Sequence, residues 1–103
     1  MPVKRLKNKL TKENLWLYIL SMLKTKPMYA YEIRKNIKDK FDFEIGQVTA
    51  YVVLYRLETT GYVETKWKEI ERQRKYYKIT KKGDDALKEG INFLKDLTEK
   101  LKP

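Results

Sequence analysis

Residues 47–80 have the sequence QVTAYVVLYRLETTGYVETKWKEIERQRKYYKIT, and this stretch decides the fold. Its first half places apolar residues at helical spacing as far as Gly61, a residue type that commonly follows the end of a helix. Apolar and polar residues then alternate over 62–68 and again over 74–80, with a charged and polar segment between them. That pattern is typical of an antiparallel hairpin. The stretch therefore predicts a helix over 47–60 followed by a two-stranded hairpin.

The start of this helix has one competing interpretation. Four β-branched residues lower its helix propensity, so a strand is the alternative there: Val48, Thr49, Val52 and Val53. The leucines that follow, together with Gly61, favour the helix.

Two more helices are predicted on the N-terminal side. Thr11 and the acidic residue shortly after it indicate a helix start, and apolar residues at helical spacing continue the helix over about 12–25. A second helix is predicted over about 30–39. Residues 41–46 then alternate in polarity, which predicts an extended and half-buried connection to the next helix.

A long amphipathic helix ends the sequence. Thr80 and the aspartates after it are typical of a helix start, and about 20 helical residues correspond to roughly 30 Å. Such a helix is too long for a core of this size to cover, so its apolar stripe is predicted to bind a second copy of the chain. The residues of this predicted dimer interface are Leu87, Ile91, Leu94, Leu97 and Leu101.

The predicted order is three helices, a hairpin and a final helix. It indicates a mainly α fold with a small β-hairpin, in which a winged helix-turn-helix is followed by a C-terminal dimerisation helix. On this prediction, residues 1–80 form a DNA-binding domain with a basic N-terminal arm, and residues 81–103 form the dimerisation helix.

The net charge of +10 is unevenly distributed. Residues 1–12 carry five basic and no acidic side chains, and residues 64–82 carry eight basic and three acidic ones. Residues 83–103 have a slight acidic excess. Cations concentrated in two segments indicate a polyanionic partner, whereas a generally lysine-rich surface is the simpler alternative. For the N-terminal arm, two interpretations are equally supported: a disordered tail, or a segment that contacts DNA phosphates without specificity.

The composition argues against an enzyme. The sequence has no cysteine and no histidine, so it has no disulfide, no thiolate ligand and no imidazole base. No acidic pair adjoins an apolar, pocket-like run, and we predict neither catalysis nor a cofactor. Neither a signal peptide nor a membrane-spanning segment is evident, which predicts a cytoplasmic protein without a membrane partner.

The predicted helix over 47–60 is the candidate recognition helix for the major groove of double-stranded DNA. Its N-terminus offers free N–H groups, and its short polar side chains can contact base edges. Cations of the hairpin can contact the DNA backbone or the minor groove. Trp16 and Trp67 are predicted to serve in packing. The candidate DNA-contacting residues are Tyr29, Arg34, Lys35, Gln47, Thr49, Tyr51, Tyr55, Arg56, Arg72, Arg74 and Lys75.

Several motifs together resemble the PadR family of transcriptional regulators over about residues 13–87. They are Tyr29-Ala-Tyr-Glu-Ile33, Val48-Thr-Ala-Tyr51, Leu54-Tyr-Arg-Leu-Glu58, Gly61-Tyr-Val63, Trp67, Arg74-Lys-Tyr-Tyr-Lys-Ile-Thr80 and Lys82-Gly83. The resemblance implies a winged-helix repressor that dimerises through its C-terminal helix and binds a palindromic operator. The resemblance also implies a possible small-molecule effector, because many members of the family release DNA when such an effector binds.

The chain departs from the family pattern at two places. Where the family usually has Gly-Thr-Leu-Tyr-Pro, this chain has Val48-Thr-Ala-Tyr-Val52, and its wing tip, Glu69-Ile-Glu-Arg-Gln73, lacks the usual glycines. Its C-terminal part is a single helix, as in the short members. The alternatives to a specific regulator are a winged-helix protein that coats DNA without specificity and one that binds another protein.

Overall fold

The computed structural model describes residues 1–69 and 71–103. In it, five helices and a short 3-10 helix surround a small antiparallel sheet. The helices are α1 (Pro2–Leu10), α2 (Leu15–Leu23), α3 (Ala30–Phe41), α4 (Gln47–Thr59) and α5 (Lys81–Leu101), with a short 3-10 helix at Lys12–Asn14. The strands are β1 (Met28–Tyr29), β2 (Val63–Glu69) and β3 (Gln73–Ile79). This arrangement confirms the predicted mainly α fold with a winged helix-turn-helix.

The core lies around α2, which is apolar on nearly every side. Leu15, Ile19, Leu20 and Leu23 are buried there together with leucine and isoleucine side chains of α3 and α4. Burial of each such side chain contributes about 1.5–3 kcal/mol. The predicted cap of this helix is wrong, because the Thr11 hydroxyl instead donates to the carbonyl oxygen of Lys7, at 2.7 Å.

The N-terminal arm is a helix, so the alternative of a disordered tail is wrong. None of the residues of α1 is buried, and the helix exposes Val3, Leu6 and Leu10 as well as its cations. The Tyr18 hydroxyl donates to the carbonyl oxygen of Leu10 and thereby ties the end of α1 to α2.

The predicted turn between α3 and α4 is confirmed in outline. Helix α3 continues to Phe41, two residues beyond the predicted end, and ends where Asp42 takes a left-handed conformation with φ of 60°. Ile45 is then buried in the core while its neighbours are exposed. This buried residue fixes the position at which α4 begins.

The end of α4 confirms the predicted role of Gly61. Its φ of 83° is a conformation that side chains with a Cβ rarely adopt. The N–H of Tyr62 donates to the carbonyl oxygen of Leu57 at 2.9 Å, and the N–H of Gly61 donates to that of Glu58 at 3.1 Å. These two bonds form a Schellman motif that turns the chain into β2.

The hairpin forms as predicted, with its strands displaced by about one residue from the expected bounds. Trp67 lies opposite Lys75 in the ladder. A third strand was not predicted: β1 pairs with β3 through Met28 and Tyr29, which gives the order β1-β3-β2. The predicted wing tip includes Ile70, which lies outside the described residues.

The first half of α5 packs on the core, whereas the second half is exposed except at half-buried Leu94. The Thr80 hydroxyl accepts from the N–H of Gly83 at 3.1 Å, as the predicted cap requires. A Cβ on Gly90 would lie 3.0 Å from a ring carbon of Trp16, so the glycine allows close approach to α2. Leu87 is only 5% exposed and belongs to its own protomer's core, and we therefore remove it from the predicted dimer interface.

Candidate nucleic-acid interface

The outer side of α4 carries the residues that the sequence analysis assigned to it. Ala50, Leu54 and Leu57 are buried on the opposite side, which fixes the orientation of the helix. No side chain caps the N-terminus of α4 among the described residues, so its first N–H groups are available to an anion. The exposed candidates on this helix are Gln47, Thr49, Tyr51, Tyr55 and Arg56.

An open cleft of about 400 Å³ separates α4 from the wing, by which we mean β2, β3 and the described residues 71–72 between them. Tyrosines line it from the start of α3 and from α4, and cations line it from the wing. None of the described residues that line it is acidic. The candidates that it brings together are Tyr29, Tyr51, Arg72, Arg74 and Lys75.

Aromatic contacts hold one of these cations in place. The Arg74 guanidinium lies 4.4 Å from the centre of the Tyr29 ring, within the range of a cation–π interaction. The same ring meets the Tyr76 ring edge-on at 5.6 Å. Arg74 is therefore oriented at the cleft before any ligand arrives.

Lys75 takes part in a bridge between the wing and α4. Its ammonium group donates to one carboxylate oxygen of Glu58 at 2.9 Å, and the Thr65 hydroxyl donates to the other at 2.9 Å. The hydrogen bond from Lys75 lowers the pKa of Glu58, and the same bond raises the pKa of Lys75. One carboxylate thus joins both strands of the wing to the C-terminal part of α4. Glu58, not identified as a site residue from the sequence, is the centre of this bridge.

Glu58→Gln should lower the free energy of unfolding by about 1 kcal/mol at pH 7, since the pair is partly screened by solvent. A lowered carboxyl pKa stabilises the folded state above the group's ordinary value of 4.5, and this stabilisation is lost as the pH falls through the lowered pKa. The difference between variant and wild type should therefore shrink under acidic conditions. Urea unfolding at a series of pH values measures it, and a difference that stays constant down to acid pH would contradict the bridge.

Two further candidates lie outside the cleft. The Arg34 side chain donates from Nε to the carbonyl oxygen of Ile45 at 3.1 Å and so supports the turn that precedes α4. Lys35 is exposed one residue further along α3. Both residues line a separate hollow, and Tyr31 lies between that hollow and the cleft.

The structure also exposes residues that the sequence analysis did not select. Trp67 is 59% exposed, so packing does not account for it, although Trp16 does pack on the core as predicted. Strand alternation put Trp67 on the same side as the buried Val63, which suggested burial. However, Trp67 lies in the part of the wing that extends beyond the core, and no local sequence pattern shows how far the core reaches along a strand. Tyr31 is 62% exposed and also borders the cleft.

Within residues 1–69 and 71–103, no group of three or more acidic side chains is placed to hold a metal ion. No helix in those ranges has both the length and the apolar character needed to span a bilayer.

The chain is similar to known transcriptional regulators. The model of the transcriptional regulator PadR-like family matches residues 19–89. A transcriptional regulator from Clostridium thermocellum is 34% identical, with 86% of this chain and 93% of that chain covered and a TM-score of 0.73. A PadR family regulator from Eggerthella lenta is 28% identical, with 96% and 88% covered and a TM-score of 0.83. No curated protein matches the chain.

The family match includes α3, α4 and both strands of the wing, and it agrees with the resemblance found in the sequence motifs. Members of this family are DNA-binding regulators of transcription and are not enzymes. The family model spans more than half of the chain, and a solved regulator with over 30% identity covers most of it. The chain therefore belongs to the PadR-like family of transcriptional regulators.

Proposed function

We propose that this protein is a sequence-specific repressor that binds a palindromic operator in the cytoplasm as a homodimer. One observation carries the proposal: Tyr51 of α4 and the cations of the wing border one cleft that has no acidic side chain among its described lining residues. A duplex presents closely spaced phosphates to such a surface. In this arrangement α4 enters the major groove.

The wing contacts the backbone or the minor groove beside α4. Arg72 is exposed and free to reach a phosphate, while Arg74 is oriented by its contact with Tyr29. Lys75 supports contact with the DNA backbone mainly by its hydrogen bond to Glu58, which fixes the wing relative to α4. Such phosphate contacts position the protein, and α4 supplies the discrimination between sequences.

The dimer forms through residues 81–103, which we treat as an element separate from the DNA-binding domain of residues 1–80. Ile91 is 39%, Leu97 41% and Leu101 74% exposed, and they continue the helical stripe that begins in the core. An exposed apolar stripe of this kind is stabilised when a second copy covers it. Two-fold symmetry then places two copies of α4 about 34 Å apart, which corresponds to half-sites one turn of DNA apart.

Selection of bound duplexes from a random-sequence pool tests this function. We expect an inverted repeat whose half-sites are about 10 base pairs apart. Enrichment without a common sequence would support the alternative of a non-specific DNA coat, to which the exposed cations of α1 would contribute. Absence of binding even at about 50 mM salt, where phosphate contacts are strong, would refute DNA binding and leave the protein-binding alternative.

A further inference from the structure

One strip along the exposed side of α4 is apolar. Val48 is 77% exposed and Val52 is 47% exposed, and these residues lie four apart on one side of the helix. The Tyr55 ring, 67% exposed, continues the same side by almost one more turn. We call these three residues the α4 ridge. Buried Ala50 and Leu54 face the opposite direction, so the ridge does not contribute to the core.

Folding of the chain does not account for valine at these positions. A β-branched residue lowers helix propensity relative to alanine, and an exposed valine leaves its methyl groups in water. Alanine or a charged residue would serve a solvated helix better. The two valines therefore indicate a surface that α4 contacts when the protein acts.

The surroundings of the ridge point to DNA as that surface. The uncapped N-terminus of α4 adjoins Val48, exposed Arg56 on the same helix carries positive charge, and the basic wing cleft borders α4 at Tyr51. A polyanion complements this charge, and the apolar group that a polyanionic duplex offers in its major groove is the C5-methyl group of thymine.

We propose that Val48 and Val52 recognise thymine methyl groups by direct apolar contact. This inference rests on the proposed position of α4 in the major groove. Four helical residues rise by about 6 Å, close to the roughly 6.8 Å between bases two steps apart. Each half-site should therefore carry thymines about two base pairs apart.

The test compares two forms of one duplex, the one recovered by selection from the random pool. In the second form every thymine is replaced by uracil, which removes the C5-methyl groups and keeps all base-pair hydrogen bonds. Each lost methyl contact should weaken binding about fourfold. We expect the Kd of the wild-type protein to be at least tenfold higher for the uracil-containing duplex than for the thymine-containing one.

Two variants make the comparison specific. The double variant Val48→Ala/Val52→Ala should bind both duplexes equally to within about twofold. It should unfold at the same or a slightly higher urea concentration than wild type, because both positions are exposed and alanine has the higher helix propensity. Lys35→Ala is the control, since loss of a phosphate contact should weaken binding to both duplexes and leave their ratio at the wild-type value.

The outcomes separate this inference from the proposed function. Equal wild-type affinity for the two duplexes would overturn thymine recognition while leaving DNA binding intact. Discrimination that persists in the double valine variant would overturn the assignment to these residues. Failure to recover any duplex would refute the proposed function and this inference together.

Discussion

Replacing Gly83 by alanine should lower the free energy of unfolding by about 3 kcal/mol or more, the upper range for overpacking. The added Cβ would lie 2.1 Å from the carbonyl oxygen of Tyr62 and 2.9 Å from a side-chain carbon of Ile79. A backbone oxygen cannot yield as a flexible side chain can, so α5 must move away from the sheet. Urea unfolding followed by far-ultraviolet circular dichroism measures the loss.

The junction around Gly83 explains why this change should be severe. The Thr80 hydroxyl donates to the carbonyl oxygen of Gly61 at 2.7 Å, and the N–H of Thr80 donates to that of Tyr62 at 3.2 Å. The end of α4, the start of β2 and the start of α5 therefore meet within one hydrogen-bonded cluster. Gly46→Ser is the matched control, because a Cβ at Gly46 would meet only the Thr49 hydroxyl oxygen, at an ordinary contact distance of 4.0 Å, and serine is favourable at a helix N-cap. Equal unfolding midpoints for Gly83→Ala and wild type would refute the packing explanation.

The second large effect concerns the proposed dimer. Leu97→Glu combined with Leu101→Glu should convert a dimer to a monomer of 12.5 kDa and raise the Kd for the selected duplex by about 100-fold. The charges would be buried against their own copies across the two-fold axis, where desolvation and repulsion oppose association. Both leucines are exposed in the protomer, so its fold should persist.

Sedimentation equilibrium measures the mass, and a gel shift measures the affinity. The control combines Asn92→Glu with Lys100→Gln, which changes the net charge equally but places the change away from the apolar stripe. This control should remain dimeric. A leucine variant that stays dimeric, or a monomer that binds DNA as tightly as wild type, would contradict the proposed role of α5.

Local sequence patterns were sufficient for much of the fold. Alternation and helical spacing identified α4, the wing and α5, and the roles of Gly61 and Thr80 followed from the chemistry of helix ends. Strand β1 was missed because two residues are too few to show alternation. The cap at Thr11 was wrong because its hydroxyl bonds backward to α1, a helix that was not predicted.

The candidate site was predictable by residue type but not by arrangement. Tyrosines and cations were identified one by one, whereas the convergence of five of them on one cleft depends on the position of the wing relative to α4. The partnership of Lys75 with Glu58 joins residues 17 apart in sequence, and no local pattern indicates it. Leu87 followed the same helical stripe as Leu97, but only the structure shows that the core covers the first and not the second.

The division of α5 into a covered half and an uncovered half has a consequence for dose response. Because Leu87 completes the core within one chain, the protomer can fold before it meets a second copy. In the proposed dimer, folding and assembly are then separate equilibria, and mass action couples only assembly to occupancy of the proposed operator. While monomers predominate, we expect occupancy to rise with the square of the protein concentration, so that a modest change in synthesis or degradation would switch the target genes sharply.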